Sequence, residues 1–466
     1  EACAAAPASL ARTGDQHLEP VVKYWEKRLT RLLALFDATG ADLLGAFRRL
    51  ADAGRLELMS SAATHGFLPL LGHDDSIRFQ LRLGIAEHKR LFGRTPTGCW
   101  LPECAYRPAG PWAPMPEAPH AGAQRLGIER FLADAGFRFV VVDAHLVEAG
   151  KPFAAYGSEA IRAMPVEPTA NSPYRAYRLT DGTTATPVDV IVRDPRASLQ
   201  VWSRFEGYPG DPEYLEFHKQ RWPGGLKLWQ VTGPDVDLGH KKPYSPEGAH
   251  HRAQSHGRHF ASLLADIAAT GAPADGFAVA PFDTELFGHW WFEGTDFIHE
   301  VYRALSEVAP GMPRTATAAI TGGALPEHIK LPPGSWGAHG DFSMWLGPAT
   351  AWTWKRLWPL EQRFWSLARL SIDVPAKREI LAQAARALVL AQSSDWQFII
   401  STGAAADYAE KRFAEHTSEL EQLLDGLVEA VPSEAVKALA AEVHTRDDCF
   451  PDILTTLAEV LSLPPL

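Results

Sequence analysis

The chain has 466 residues, enough for two or three domains, with a formal net charge of −11, 46% hydrophobic and 22% charged residues. That balance, with no basic stripe, excludes nucleic acid and anionic membrane surfaces as expected partners. No apolar run reaches the roughly 18 residues of a membrane span. Cys3, Cys99, Cys104 and Cys449 are scattered without a Cys-x-x-Cys pair. Neither a zinc site nor a disulfide framework is therefore expected, and a reducing cytoplasm is. The N-terminal Glu1-Ala2-Cys3-Ala4-Ala5-Ala6-Pro7 lacks the basic and long apolar regions of a signal peptide. Fifteen tryptophans against five methionines leave two readings open, a bulky core or rings that stack on sugars.

In chain order, residues 15–53 carry a helical period through Leu29, Leu32, Leu33, Phe36, Leu43, Leu44 and Phe47. A short strand is expected between Arg55 and Ser61, running into His65. A helix follows at 74–92, opened by Asp74 and Asp75. Pro96 to Leu101 reads as a strand, 122–136 as a helix, Phe137 to Val142 as a strand ending near His145, and Val188 to Arg193 as another. Residues 150–185 and 195–222 read as long loops, with further strands at Leu226 to Val231 and Gly276 to Phe282 around a helix at 246–270. Beyond residue 310 strands nearly vanish, and 349–466 is Ala/Leu-rich helix. Alternating strands and helices predict a parallel α/β barrel or open sheet.

His65, Glu103, His145, Arg193 and Asp283 all fall at the C-terminal ends of expected strands, where such barrels keep their active sites. Glu103 and Asp283 are each wrapped in aromatic residues, and two strand-end carboxylates are what glycosidic bond cleavage requires. Each has a competing structural role: a salt bridge to Arg107 for Glu103, a helix N-cap for Asp283. His250, His251, His256 and His259 crowd one helix, yet lack metal-ligand spacing and read as surface or rim residues. Trp354 and Trp358, four apart, predict packing on one helix face. Trp336 and Trp345 lie in a Gly-rich stretch and are better placed as sugar platforms. Asp395 interrupts a helical pattern and could bind hydroxyls.

Four segments in order resemble glycoside hydrolase family 57, most closely its members that branch 1,4-α-glucans. They are Ala63-Thr64-His65-Gly66-Phe67-Leu68-Pro69, Trp100-Leu101-Pro102-Glu103-Cys104-Ala105-Tyr106, Pro281-Phe282-Asp283-Thr284-Glu285-Leu286-Phe287-Gly288-His289-Trp290 and Ser394-Asp395-Trp396-Gln397-Phe398. The resemblance implies an incomplete (β/α)7 TIM-like barrel over 1–310, a helical insertion at about 15–53, and an all-helical domain over 311–466. It implies Glu103 as nucleophile and Asp283 as acid/base. It implies substrate contacts from His65, Trp336 and Asp395, with no metal and no organic cofactor; Trp100, His145, Trp345 and Trp396 are the further candidate substrate-binding residues.

The substrate implied is an α-glucan such as amylose or glycogen, handled by a cytoplasmic monomer. The neighbouring readings are an α-amylase, a 4-α-glucanotransferase or an inactive glucan-binding homologue. The family opens with a His-x-His strand that has no counterpart before residue 17, so one strand is expected to be absent. Tyr156, Trp202, Phe205 and Tyr208 are the aromatic residues expected to cover the site.

Overall fold

The computed structural model describes residues 1–119, 121–148, 171–182, 184–203, 206–270, 275–464 and 466. Tyr156, Phe205 and most of the expected 150–185 loop lie outside the described residues. The chain forms two compact units, one of Glu1–Glu57 with Arg193–Gly323, the other of Leu58–Val192 with Ala324–Leu466.

The second unit holds the sheet. Its strands are β1 (Ser60–Ser61), β2 (Gly98–Trp100), β5 (Phe139–Val142), β6 (Tyr177–Thr180), β7 (Ala185–Val192) and β8 (Glu327–Ile329), with β3 (Gly110–Trp112) and β4 (Ala123–Arg125) forming a separate antiparallel pair. The main order is β1-β2-β5-β7-β6-β8. β1, β2, β5 and β7 run parallel, β6 is antiparallel to β7, and β8 is parallel to β6. The sheet does not close among the described residues, and the fold is the incomplete α/β barrel that the sequence predicts.

Local chemistry explains these elements. The helix Asp74–Phe92 begins with two acids in its first turn and ends on Gly93 at φ 70°, as the helix dipole and the left-handed C-cap favour. It lies so close to β1 that a Cβ on Gly84 would stand 2.2 Å from the Ser61 carbonyl oxygen. The C-terminal helices begin with Ala351–Ser371 and run to Ile453–Ser462. Three tryptophans of the first anchor it: Trp354 Nε1 donates to the Trp345 carbonyl at 2.7 Å, Trp358 Nε1 to the Leu70 carbonyl at 2.8 Å, and Trp365 Nε1 to Ser76 Oγ at 2.8 Å. Barrel strands and C-terminal helices share one apolar core that runs from Ala62 to Val460.

In the first unit, the helices Glu19–Ala38 and Leu43–Asp52 form where the period predicts. Their apolar stripe is not buried, however. Leu29, Leu32, Leu33, Phe36, Leu43, Leu44 and Phe47 are all exposed, Leu33 by 61%. Two expected strands are also absent. Residues 226–231 make only isolated bridges, Arg221 with Leu226, Leu215 with Gln230 and Trp229 with Pro243, and Pro243 has no N–H to donate to a ladder. Residues 276–282 make one parallel bridge, Val279 with Arg193, before Pro281 removes a donor.

The histidine helix, Pro246–Thr270, is as expected, with His250, His251 and His259 exposed and His256 half-buried at its rim. His256 Nδ1 lies 2.8 Å from Tyr214 Oη, and His259 Nδ1 lies 2.6 Å from Tyr208 Oη. Tyr208 is itself buried, with its ring stacked on His256. Among the described residues no helix is long and apolar enough to cross a membrane.

Candidate active site

Glu103 stands just past β2 in a short 3-10 turn, Pro102–Cys104. Pro102 holds Leu101 extended, at φ −65° and ψ 125°, and its missing N–H ends the ladder. The chain then turns through two left-handed residues, Glu103 at φ 60° and Cys104 at φ 48°. His65 is left-handed too, at φ 57°. Such backbone costs about 1–3 kcal/mol for a residue with a Cβ and gathers at functional sites. Here it is held by partners. Cys104 N–H donates to the Leu101 carbonyl at 2.8 Å and Trp336 N–H to the Glu103 carbonyl at 3.0 Å.

The Glu103 side chain is the hub. The residue is 8% exposed. Its Oε2 accepts from Trp336 Nε1 at 2.8 Å and its Oε1 from Ser394 Oγ at 2.9 Å. His65 Nδ1 lies 2.8 Å from the same Ser394 hydroxyl and 3.8 Å from Glu103 Oε1. Because the hydroxyl donates to the carboxylate, the imidazole is the donor to Ser394. Burial pushes the Glu103 carboxyl above the ordinary range, while His65, Trp336 and Ser394 pull it back towards the charged form and Asp395 adds to the rise. The carboxylate thus points at a fixed place, with both oxygens held by donors. The competing salt bridge is not formed: the Arg107 guanidinium instead donates to the Leu126 carbonyl at 2.9 Å, and burial lowers its pKa to about 10.

The loop that supplies Trp336 is braced on both sides. Gly334 and Tyr106 exchange backbone hydrogen bonds at 2.8 and 3.0 Å, and His145 Nε2 donates to the Gly340 carbonyl at 3.0 Å. Trp100 meets Trp336 edge to face, with ring centroids 5.2 Å apart. The sequence-predicted residues His65, Glu103, Trp100, Trp336 and His145 are therefore brought together around β2 and this loop.

Other predicted residues sit differently. Trp345 is 0% exposed and stacked on Phe67 at 4.6 Å, leaving no open ring face. Trp396 donates to the Leu390 carbonyl at 2.8 Å and lies against Tyr408 and His416. Asp395 is exposed and accepts from Ser393 Oγ at 2.9 Å. Asp283 belongs to the other unit. It occupies the N-cap position of the turn Thr284–Leu286 without a side-chain cap hydrogen bond.

Ser394 is the residue that the sequence reading misses as a contact. Its signal is the Ser393-Ser394 pair that interrupts the helical pattern just before Asp395.

Comparison with known proteins fits this geometry. Residues 23–318 match glycosyl hydrolase family 57, and residues 358–457 match the C-terminal domain of 1,4-alpha-glucan branching enzymes. A 1,4-alpha-glucan branching enzyme from Thermococcus kodakarensis is 37% identical over 441 residues, covering 92% of this chain and 63% of that protein. Its crystal structure, in complex with glucose and additives, superposes with a TM-score of 0.87 at 34% identity, covering 100% of this chain and 82% of that one. A probable 1,4-alpha-glucan branching enzyme from Mycobacterium tuberculosis is 32% identical, covering 86% of this chain and 70% of that protein. The alpha-amylase AmyC from Thermotoga maritima superposes with a TM-score of 0.76 at 26% identity, covering 100% of this chain and 85% of that one. The chain spans just under two thirds of the length of the Thermococcus enzyme. With the strand-borne glutamate, its loop tryptophan and its serine partner set in this fold, the chain belongs to glycosyl hydrolase family 57.

Proposed function

We propose that the chain is a retaining 1,4-α-glucan branching enzyme acting on amylose or glycogen, a cytoplasmic monomer with its catalytic barrel over 1–310 and its helical domain over 311–466. Glu103 is the nucleophile and Asp283 the acid/base. The observation that carries the reading is the Glu103 carboxylate, buried at a strand end and held on both oxygens by the Trp336 N–H and the Ser394 hydroxyl.

The chemistry follows from these groups. The Glu103 carboxylate attacks the anomeric carbon of an α-1,4-linked glucosyl unit while Asp283 protonates the departing 4-oxygen. A β-glycosyl ester on Glu103 results. Asp283, now ionised, takes the proton of an acceptor 6-hydroxyl, whose oxygen displaces Glu103 and forms an α-1,6 bond. The first hydrogen-bond donors to Glu103 orient the attacking oxygen and share its charge, and both serve again when the carboxylate leaves. A retaining enzyme of this type needs its two carboxyl groups about 5–5.5 Å apart. His65 acts through Ser394 as a positioning residue, and Trp100 offers a partly exposed ring beside Trp336.

The likeness to an α-amylase makes hydrolysis the second reading, and the branching-enzyme match at 358–457 favours transfer over it. Product linkage decides. Amylose treated with the protein should show reducing ends that rise only after a debranching enzyme is added. A rise before debranching, with none after, makes the protein an amylase. Glu103→Gln should abolish turnover while keeping the fold and glucan binding; unchanged turnover would remove Glu103 from the reaction.

A further inference from the structure

We infer that the first unit carries a second carbohydrate site, which holds an α-1,4-glucan chain in a cavity lined in part by the exposed Trp290 and adjoined by the turn that carries the exposed Trp222. The inference rests on the glucan reading above and extends it to a cavity lined by residues of the first unit alone.

The cavity has a volume of about 390 Å3, at the lower end of the roughly 300–1,000 Å3 of small-ligand sites. Its lining holds rings, donors and four leucines, Leu29, Leu32, Leu215 and Leu226. Trp25, Phe217, Trp290 and Phe292 supply rings, while Arg28, Lys227 and His289 supply donors. The rings are fixed rather than loose. Trp290 stacks on Phe217 at 4.6 Å and 22°. Lys227 Nζ covers the Phe217 ring at 3.9 Å, so Phe217 is clasped on both sides. Arg28 lies over Phe292 at 4.3 Å, and Trp25 donates its Nε1–H to the Lys227 carbonyl at 2.6 Å.

Large rings are normally the first side chains to be buried. Trp290 nevertheless leaves 53% of its surface to solvent and Trp222 leaves 75%. Trp222 stands in the turn closed by the Arg221 to Leu226 hydrogen bond, and that turn's end, Gly225 to Lys227, lines the cavity. Indoles with an open face beside hydrogen-bond donors match a pyranose, whose C–H face stacks while its hydroxyl oxygens accept. Arg28 and Lys227 form no ion pair among the described residues, and the Arg28 Nε is buried without a hydrogen-bond partner. No carboxylate lines the cavity among the described residues, although Glu216 acts on Lys227 from outside that lining. The occupant is therefore an acceptor-rich ring chain, which an α-glucan is.

The test is electrophoresis through native gels containing amylopectin, read as retardation against a glucan-free gel, with wild type, Glu103→Gln and the double variant Trp222→Ala/Trp290→Ala. Loss of two stacking rings should weaken retention about tenfold, or about 1.4 kcal/mol, while Glu103→Gln is retained like wild type. Trp222→Ala alone, at a position 75% exposed, should show part of the loss with the fold kept. Retention unchanged in a double variant with an intact near-ultraviolet spectrum overturns this site and leaves the branching reading standing. Absence of retention for the wild type, together with absence of branched product, overturns both. Competition by glucose 6-phosphate but not by maltoheptaose would assign the cavity to an anionic sugar and overturn the glucan.

Discussion

Glu103 has a carboxylate whose burial opposes its charge and whose partners support it, and that tension predicts how its variants behave. A folded-state pKa raised above the unfolded value means that the ionised side chain costs stability. The contribution is favourable below the unfolded pKa and is lost as pH rises through the folded one. Glu103→Gln escapes this loss. Its amide oxygen can accept from Trp336, and its amide nitrogen can donate to Ser394 once that hydroxyl turns towards His65. The variant should therefore match or exceed wild-type stability at pH 8, with the gap closing towards pH 4 in urea titrations. A variant less stable than wild type at pH 8 would contradict this account.

Ser394→Ala does the opposite. It removes a donor from a buried charge, a loss of roughly 1.5–3 kcal/mol, so the acid limb of the pH–rate profile should move to higher pH. A merely structural serine would lower turnover without moving that limb. The sequence pointed to Glu103 because Pro102 and flanking aromatics mark a strand end. It could not give Ser394 its role, because that hydroxyl acts from 291 residues away.

Elements were legible where one period governed them. The helix 74–92 carries its own acidic start and glycine stop, and the structure ends it at the same residues. The helices at 19–38 and 43–52 were legible as helices but not in what they face, since period shows that a stripe exists and not what covers it. Apolar runs at 226–231 and 276–282 failed as strands because a strand is a property of two segments: Pro243 faces the first run, and Pro281 lies within the second.

The histidine helix shows the same limit. His256 stands among Tyr208, Tyr214, His259, Asp211 and Arg252, and burial holds its pKa down at about 4. A depressed histidine contributes stability that is present above its unfolded value of about 6.5 and lost as pH falls towards about 4. The urea midpoint of the wild type should therefore fall more steeply from pH 7 to pH 4 than that of His256→Gln. Parallel curves would mean that His256 is as free to ionise in the native protein as in the unfolded chain.

At the scale of the whole molecule, chain order and compactness part company. Composition suggests a break near residue 310, where strands give way to helices, yet the contacts join Leu58–Val192 to Ala324–Leu466. The reason is visible in the tryptophans of the helix Ala351–Ser371. Trp358 and Trp365 reach back to Leu70 and Ser76, and the buried Glu361 accepts from Gly72 N–H at 2.7 Å and from Gln392 Nε2 at 2.8 Å. Trp336 and Ser394, both beyond residue 310, supply the donors to Glu103.

A chain stopped at residue 310 would thus expose the apolar face on which that helix lies and strip Glu103 of both donors. It should be found in inclusion bodies or, if kept soluble, should lack a cooperative thermal transition. A soluble, cooperatively folded 1–310 would show instead that the barrel strands carry a sufficient core. The same dependence predicts that Trp358→Ala, a substitution some 250 residues from Glu103 in sequence, costs about 3–5 kcal/mol. Activity should fall with the folded fraction, so that turnover per folded molecule, measured at a temperature below the lowered transition, stays near the wild-type value.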